Sequence, residues 1–262
     1  MVATLSVAQW AILAFAIGLA MGSFGNVVIY RLPLGRSVVF PGSRCPACGT
    51  AIRWYDNVPL LSYLILRGRC RSCREGISWR YPGVEALTGL LFAGVVARFG
   101  IGPMTIPLLL FAWALVVITV IDLDHRIIPD AISLPGTVAG LAVSFLPGTP
   151  RPLDALIGCA AGAGFLFFVL YAYEKIMGDE GMGMGDVKLM AMIGAFLGWQ
   201  ALPVTVMVSS LTGSLTGVGF ALAKGEPVRK FPVPFGPFLA LGAIVHMFFG
   251  VEILLWYLGK FS

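Results

Sequence analysis

Two kinds of side chain in this sequence are placed to do chemistry: four cysteines in two close pairs, and aspartates at the edges of apolar runs. Cys45-Pro-Ala-Cys48 and Cys70-Arg-Ser-Cys73 repeat a C-x2-C pattern, with 21 residues between the pairs. Four thiolates suit a tetrahedral Zn²⁺, and a two-residue gap lets one tight turn present both sulfurs of a pair. The connection is slightly longer than the usual span of about 15–20 residues. Two disulfides or two redox pairs are the competing reading, and a cytoplasmic location, argued below, counts against disulfides. Four protein ligands close the coordination sphere, so the expected metal is structural and not catalytic. Cys159 lies in an apolar run and reads as an ordinary packed residue.

The aspartates fall in two clusters. Ile121-Asp122-Leu123-Asp124-His125-Arg126-Ile127-Ile128-Pro129-Asp130 directly follows one apolar run, and Gly181-Met182-Gly183-Met184-Gly185-Asp186-Val187-Lys188 directly precedes another. Ionisable groups in or beside membrane spans are costly, which makes them functional candidates. Two carboxylates close together share one proton. The ionised member can deprotonate water while the protonated member polarises a scissile carbonyl, which is aspartyl-protease chemistry. The glycine string lacks the Lys-Ser/Thr ending and the strand-turn-helix setting of a phosphate loop. It offers bare backbone beside a carboxylate, where an extended substrate chain could approach and pair with main-chain groups. Asp124 and Asp130 read more readily as helix caps and partners for Arg126 and Lys188. Asp186, with its glycine flank, reads as functional. The residues alone do not choose among Asp122, Asp124 and Asp130.

The elements that must hold these groups follow from composition. Apolar residues make up 58% of the 262 and charged residues only 12%, against about 25% charged in a soluble domain. Too few charges remain to cover a soluble globule, and disorder, collagen and a disulfide scaffold are excluded too. Runs free of Asp, Glu, Lys and Arg cover 1–30, 99–121, 131–150, 155–173, 189–223 and 231–251. A membrane-crossing helix needs about 20 apolar residues, so five runs supply one span each. The run 189–223 is long enough for a hairpin turning near Gly198–Pro203, and a shorter span with Glu85 fits about 82–98. The fold class expected is an all-α polytopic membrane protein with about eight transmembrane helices and a small cytoplasmic four-cysteine, zinc-ribbon-like insertion after the first helix. The first run lacks the basic start of a signal peptide and reads as a retained span, with Gly18, Gly22 and Gly25 allowing close helix packing.

Charge sets the direction. Residues 31–81 hold nine arginines against Asp56 and Glu75, a net +7, while the other nine bases and eleven acids leave −2. The positive-inside rule puts this segment in the cytoplasm and the N-terminus outside. Eight alternating spans then bring 122–130, 175–187 and 224–235 to the cytoplasmic side as well. About 50 residues build a poor core, so metal binding would supply much of the segment's folding energy. Its arginines read as a topological determinant facing anionic lipid, and no nucleic acid partner is expected.

Together these motifs resemble the type IV prepilin peptidases, the leader peptidase/N-methyltransferases of pilus and type II secretion systems. The resemblance covers most of the chain. It rests on Gly22-Ser23-Phe-Gly-Asn26 through Arg31-Leu-Pro33, the two cysteine pairs, Trp54-Tyr-Asp-Asn57 through Tyr63, Arg67-Gly-Arg-Cys70-Arg and Arg80-Tyr-Pro-Gly-Val-Glu85. Asp122 through Pro129-Asp130 and Gly183-Met-Gly185-Asp186 complete it. The resemblance implies a catalytic dyad of Asp122 and Asp186, and zinc on Cys45, Cys48, Cys70 and Cys73. It implies removal of a short basic leader from prepilins or pseudopilins at the cytoplasmic face of the bacterial inner membrane. N-methylation of the new N-terminal residue, with S-adenosylmethionine as donor, would follow. The implied division is a first transmembrane helix (1–30), a zinc-binding domain associated with methylation (31–81) and a transmembrane peptidase domain (82–262).

Asp124, Asp179 and Glu180 are candidates to receive the basic leader. The methyl donor is poorly marked, with no Rossmann-type glycine loop. Asp56, Asn57, Glu75 and Glu85 are polar candidates, each of which can equally pair with the many arginines. Two other readings stay open: a peptidase without methylation, and a transporter or assembly scaffold with aspartate ion sites. A proton-coupled transporter is expected to carry its carboxylates near the bilayer midplane, whereas both clusters here sit at one rim.

Overall fold

In the computed structural model, which describes residues 6–177, 183–225 and 234–259, the chain divides into two compact units, 1–117 and 118–262. In the first, α1 (Val7–Arg31) starts at a capping box: Ser6 Oγ accepts from the Gln9 amide at 3.3 Å, and Gln9 Oε1 accepts from the Ser6 amide at 2.8 Å. This satisfies two of the amides that a helix start leaves unpaired. The short α2 (Leu61–Ile65) lies in the cysteine-bearing segment, and α3 (Arg80–Phe99) packs along α1. Close packing at Gly18 and Gly22, expected from their size, is observed: a Cβ on Gly22 would lie 2.6 Å from Glu85 Cα, and one on Gly18 2.7 Å from Gly89 Cα. In lipid no hydrophobic force draws helices together, so such backbone approach supplies the dispersion contact that does. Gly25 instead faces Trp113 of α4 (Thr105–His125), whose indole N–H donates to Met21 O at 2.9 Å and whose ring stacks on Phe24.

The second unit holds the end of α4, from Ile118, with α5 (Asp130–Val143), α6 (Pro152–Met177), α7 (Met184–Leu197), α8 (Ala201–Lys224) and α9 (Gly236–Leu258). α7 is its centre and packs against α5, α6 and α9. Val187, Leu189, Met190, Met192, Ile193, Ala195 and Phe196 are all buried, so every face of α7 is covered, as an all-round apolar helix requires. Against α6 the approach is again backbone to backbone, with a Cβ on Gly158 falling 2.5 Å from Gly194 O. Against α5, a Cβ on Gly140 would come within 3.0 Å of Ala195. α8 and α9 meet where a Cβ on Gly242 would lie 2.6 Å from Thr205 O.

Helices occupy all eight expected places, and the 189–223 hairpin turns at Gly198 (φ +78°), inside the expected interval. Among the described residues six of them, α1, α3, α4, α6, α8 and α9, are long and apolar enough to cross a membrane. α5 and α7 have 14 residues each, or about 21 Å at 1.5 Å per residue, short of a core about 30 Å thick. The apolar run behind α5 overstated it because its last residues, Pro147-Gly148-Thr149-Pro150, turn and do not continue the helix.

Helix contact at this range leaves no room for a methyl group. Gly22→Ala should lower stability in detergent by about 1–3 kcal/mol, the usual cost of overpacking. Gly102→Ala, whose Cβ would meet nothing within 4 Å, should change it little. Thermal unfolding of the two purified variants distinguishes them.

Candidate active site and metal centre

The two cysteine pairs fold into matching turns. Thr50 O accepts from the Cys45 amide at 2.9 Å and Cys45 O from the Gly49 amide at 2.9 Å; Glu75 O and Cys70 O accept from Cys70 and Arg74 in the same way, at 2.8 and 3.0 Å. An isolated β-bridge closes each turn, Arg44 to Ala51 and Arg69 to Gly76. Gly49 (φ +70°) and Arg74 (φ +62°) hold the same left-handed position, which is free for glycine and strained for arginine. All four ligand sulfurs lie within 4.8 Å of one another, with Cys45 and Cys73 Sγ 3.8 Å apart. A tetrahedron with Zn–S bonds of about 2.3 Å has edges of about 3.8 Å, so the cluster fits one zinc ion. Without a cation the four thiols do not ionise alike. The Thr50 hydroxyl and then its backbone draw the Cys48 thiol down to about 6. A backbone hydrogen bond from Glu75 acts in the same sense on Cys73, yet burial and the neighbouring cysteines push its thiol up to about 12. A dication supplies the charge that lets all four sulfurs ionise together.

Of the polar residues considered for the methyl donor, Asp56 and Glu85 are paired within the first unit, while Asn57 and Glu75 are exposed. Arg71 grips Asp56 with both Nε and Nη2, at 2.6–3.0 Å, and holds its carboxyl below the usual range. Glu85 is buried and accepts the Leu60 amide at 2.9 Å. That bond ties the start of α2, where Leu60 has φ +58°, to the second turn of α3.

The aspartate clusters meet at helix ends of the second unit. Asp122 lies in the last turn of α4 and Asp186 in the first turn of α7, and both are buried. α4 stops at Arg126 (φ +55°), whose amide donates to Asp122 O at 2.8 Å. The chain then turns through Ile128, which is buried, to Pro129 and α5. Ile128 is the spacer of the site. A Cβ on Gly185 would come within 2.9 Å of it, and one on Gly236 within 3.2 Å. Gly236, at the start of α9, donates its amide to Asp122 Oδ2 at 3.0 Å, while the Gly183 amide donates to Asp186 Oδ2 at 3.3 Å. Both carboxylates belong to the surroundings of Ile128: Gly185, next to Asp186, and Gly236, which binds Asp122, each abut its side chain. Paired acids in a dry setting, each anchored through one oxygen, can divide the roles of base and acid toward a water and a carbonyl.

The other candidates are elsewhere. Asp130 opens α5, is exposed and pairs with Lys188 at 2.7 and 2.8 Å. Asp124 is exposed at the end of α4, and Cys159 is half-buried in α6. Asp179 and Glu180 lie outside the described residues. Sequence reasoning missed Gly236, although the Gly-Pro step at the start of an apolar run marks a helix N-terminus. On the metal centre, elemental analysis of purified protein should find one zinc per chain. The Cys45→Ser/Cys70→Ser variant should lose it and unfold locally in the 31–81 segment, read by hydrogen exchange.

Comparison with known proteins identifies the family. Residues 16–99 match the family model of the bacterial peptidase A24 N-terminal domain, and residues 109–218 match that of the type IV leader peptidase family. The prepilin leader peptidase/N-methyltransferase of Aeromonas hydrophila is 41% identical over 273 residues, covering 95% of this chain and 94% of the relative. The protein of that name from Pseudomonas putida is 40% identical, covering 92% and 91%. That of Myxococcus xanthus is 47% identical over 219 residues, covering 83% of this chain and 65% of the relative. No solved structure matches the chain at a significant level. Relatives at this identity along nearly the full length, together with buried aspartates and clustered cysteines, place the chain in the type IV leader peptidase family.

Proposed function

We propose that this chain is a membrane aspartyl endopeptidase that removes the short basic leader from type IV prepilins or pseudopilins. It then N-methylates the freed N-terminus, with S-adenosylmethionine as donor. The observation that carries the reading is the burial of Asp122 and Asp186 in one site, spaced by Ile128 and anchored by the Gly236 and Gly183 amides. In the reaction, the ionised carboxylate takes a proton from water as the oxygen adds to the scissile carbonyl carbon. The protonated carboxyl gives its proton to the carbonyl oxygen. The tetrahedral adduct collapses when the first carboxyl returns its proton to the leaving amine and the second carboxylate takes back a proton from an adduct hydroxyl as the C=O bond re-forms, which restores the pair.

Both acids sit within a turn of a helix end, which favours cleavage at a membrane rim over ion transport at the midplane. A substrate whose apolar helix lies in the bilayer can reach such a site by lateral diffusion. The arginine-rich 31–81 segment supports the cytoplasmic rim of the inner membrane as the location, with the N-terminus on the periplasmic side. In this reading Cys45, Cys48, Cys70 and Cys73 hold a structural zinc that folds the 31–81 segment, the part associated with methylation, while 82–262 carries out cleavage. S-Adenosylmethionine supplies an electrophilic methyl group, and the released N-terminal amine is its acceptor.

The test is incubation of purified protein with a leader-bearing prepilin peptide and labelled S-adenosylmethionine. Wild type should cleave and label. Asp122→Asn and Asp186→Asn should each lose cleavage by at least about 10³-fold, the order a general base contributes, while a pre-cleaved peptide is still labelled. Retained cleavage in either variant removes that aspartate from the pair, and cleavage without labelling leaves a peptidase alone.

A further inference from the structure

Gly236 is buried at the first position of α9, followed by Pro237, and its amide meets Asp122 across 114 residues of sequence. The first amides of a helix have no partner within it, and they lie at the positive end of the helix dipole, where they favour an anion. Pro237 gives up no such amide and sets the backbone angle with which α9 begins. A side chain at 236 has no room. Its Cβ would lie 2.7 Å from Asp122 Oδ2, 3.2 Å from Asp122 Cγ and 3.2 Å from Ile128 Cδ1. Amide and carboxylate therefore meet directly only because this residue is glycine.

We propose that Gly236 is a positioning residue of the peptidase: its amide fixes the rotamer of Asp122 by binding Oδ2, so that Oδ1 is the oxygen that takes the proton from water. The hold on the other acid is different in kind. Asp186 is bound by Gly183 within its own helix start, at 3.3 Å, whereas Asp122 is bound by another helix. The start of α9 thus acts as a fixed wall against which one carboxylate is aligned. This proposal rests on the reading of Asp122 and Asp186 as the reacting pair.

Gly236→Ala tests it in the full-length protein, with the leader-bearing peptide. A small misplacement of a reacting group lowers turnover more than binding, so kcat should fall about 10–100-fold with KM within about twofold of wild type. Labelling of a pre-cleaved peptide should proceed at the wild-type rate. Gly242→Ala, on the same helix but against Thr205, is the packing control and should keep kcat while losing thermal stability. If Gly236→Ala does not accumulate as folded protein, Gly236→Ala/Ile128→Ala frees the Cδ1 side, and its kcat should lie about 10–100-fold below that of Ile128→Ala alone; equal kcat in the two overturns the proposal. Wild-type kcat in a folded Gly236 variant overturns the proposal, as does a parallel fall in kcat, labelling and stability. Retained cleavage in Asp122→Asn sinks instead the assignment of the pair on which it stands.

Discussion

Keeping two carboxylates inside an apolar helix bundle is the constraint around which the second unit is built. A buried acid without partners costs several kcal/mol, on the order of the cost of an unpaired polar group or more. Here the partners are backbone amides that helix starts leave free, Gly236 for Asp122 and Gly183 for Asp186. That solution needs the beginning of α7 and the beginning of α9 to meet the end of α4. It also needs glycine where backbone faces carboxylate or Ile128, because a Cβ at 185 or 236 would occupy the same space.

The same economy of side-chain volume runs through the rest of the structure. α1 touches α3 through Gly18 and Gly22, α6 touches α7 through Gly158 and Gly194, and α8 touches α9 at Gly242. In lipid, where neighbouring tails are as apolar as leucine, close backbone approach is what makes helix contact better than lipid contact. It accounts as well for a 14-residue α7. With α5, α6 and α9 around it, α7 presents its sides to protein, and its polar ends need not reach both headgroup layers at its own surface. Its first turn can then serve the site.

The cysteine segment obeys a different rule. Trp54, Phe40 and Trp79 are exposed there at 82, 77 and 78%, so its largest apolar side chains do little to order it. Order comes from two matching backbone turns that aim four sulfurs at one point, and from the Glu85 carboxylate holding the start of α2. Even a strained left-handed Arg74 is kept where its counterpart is Gly49, because the turn geometry serves the sulfurs. The buried acids and the clustered thiols are thus separate residue sets with separate physical support.

Much of this was readable along the chain. Charge-free runs placed seven of the eight apolar helices and a shorter run around Glu85 placed the other, the C-x2-C spacing named the four sulfurs that cluster, and the glycine flank drew attention to Asp186. These are local properties, set by what a given residue or its near neighbours can do. Hydropathy overstated α5, because an apolar run does not reveal where prolines and glycines turn it. The residues alone made no choice among Asp122, Asp124 and Asp130, though the last two read more readily as caps and ion-pair partners. Burial separates them: Asp122 is enclosed while Asp124 and Asp130 are exposed, Asp130 on Lys188. The anchor of Asp122 lay further out of reach. A backbone amide carries no residue-type signature, and 114 residues separate it from the acid it holds. Residue types and spacing therefore set which groups can react and which segments enter the membrane. Tertiary packing alone chose the aspartate that is buried and the amide that aligns it, because burial and alignment are properties of neighbours brought together from distant sequence.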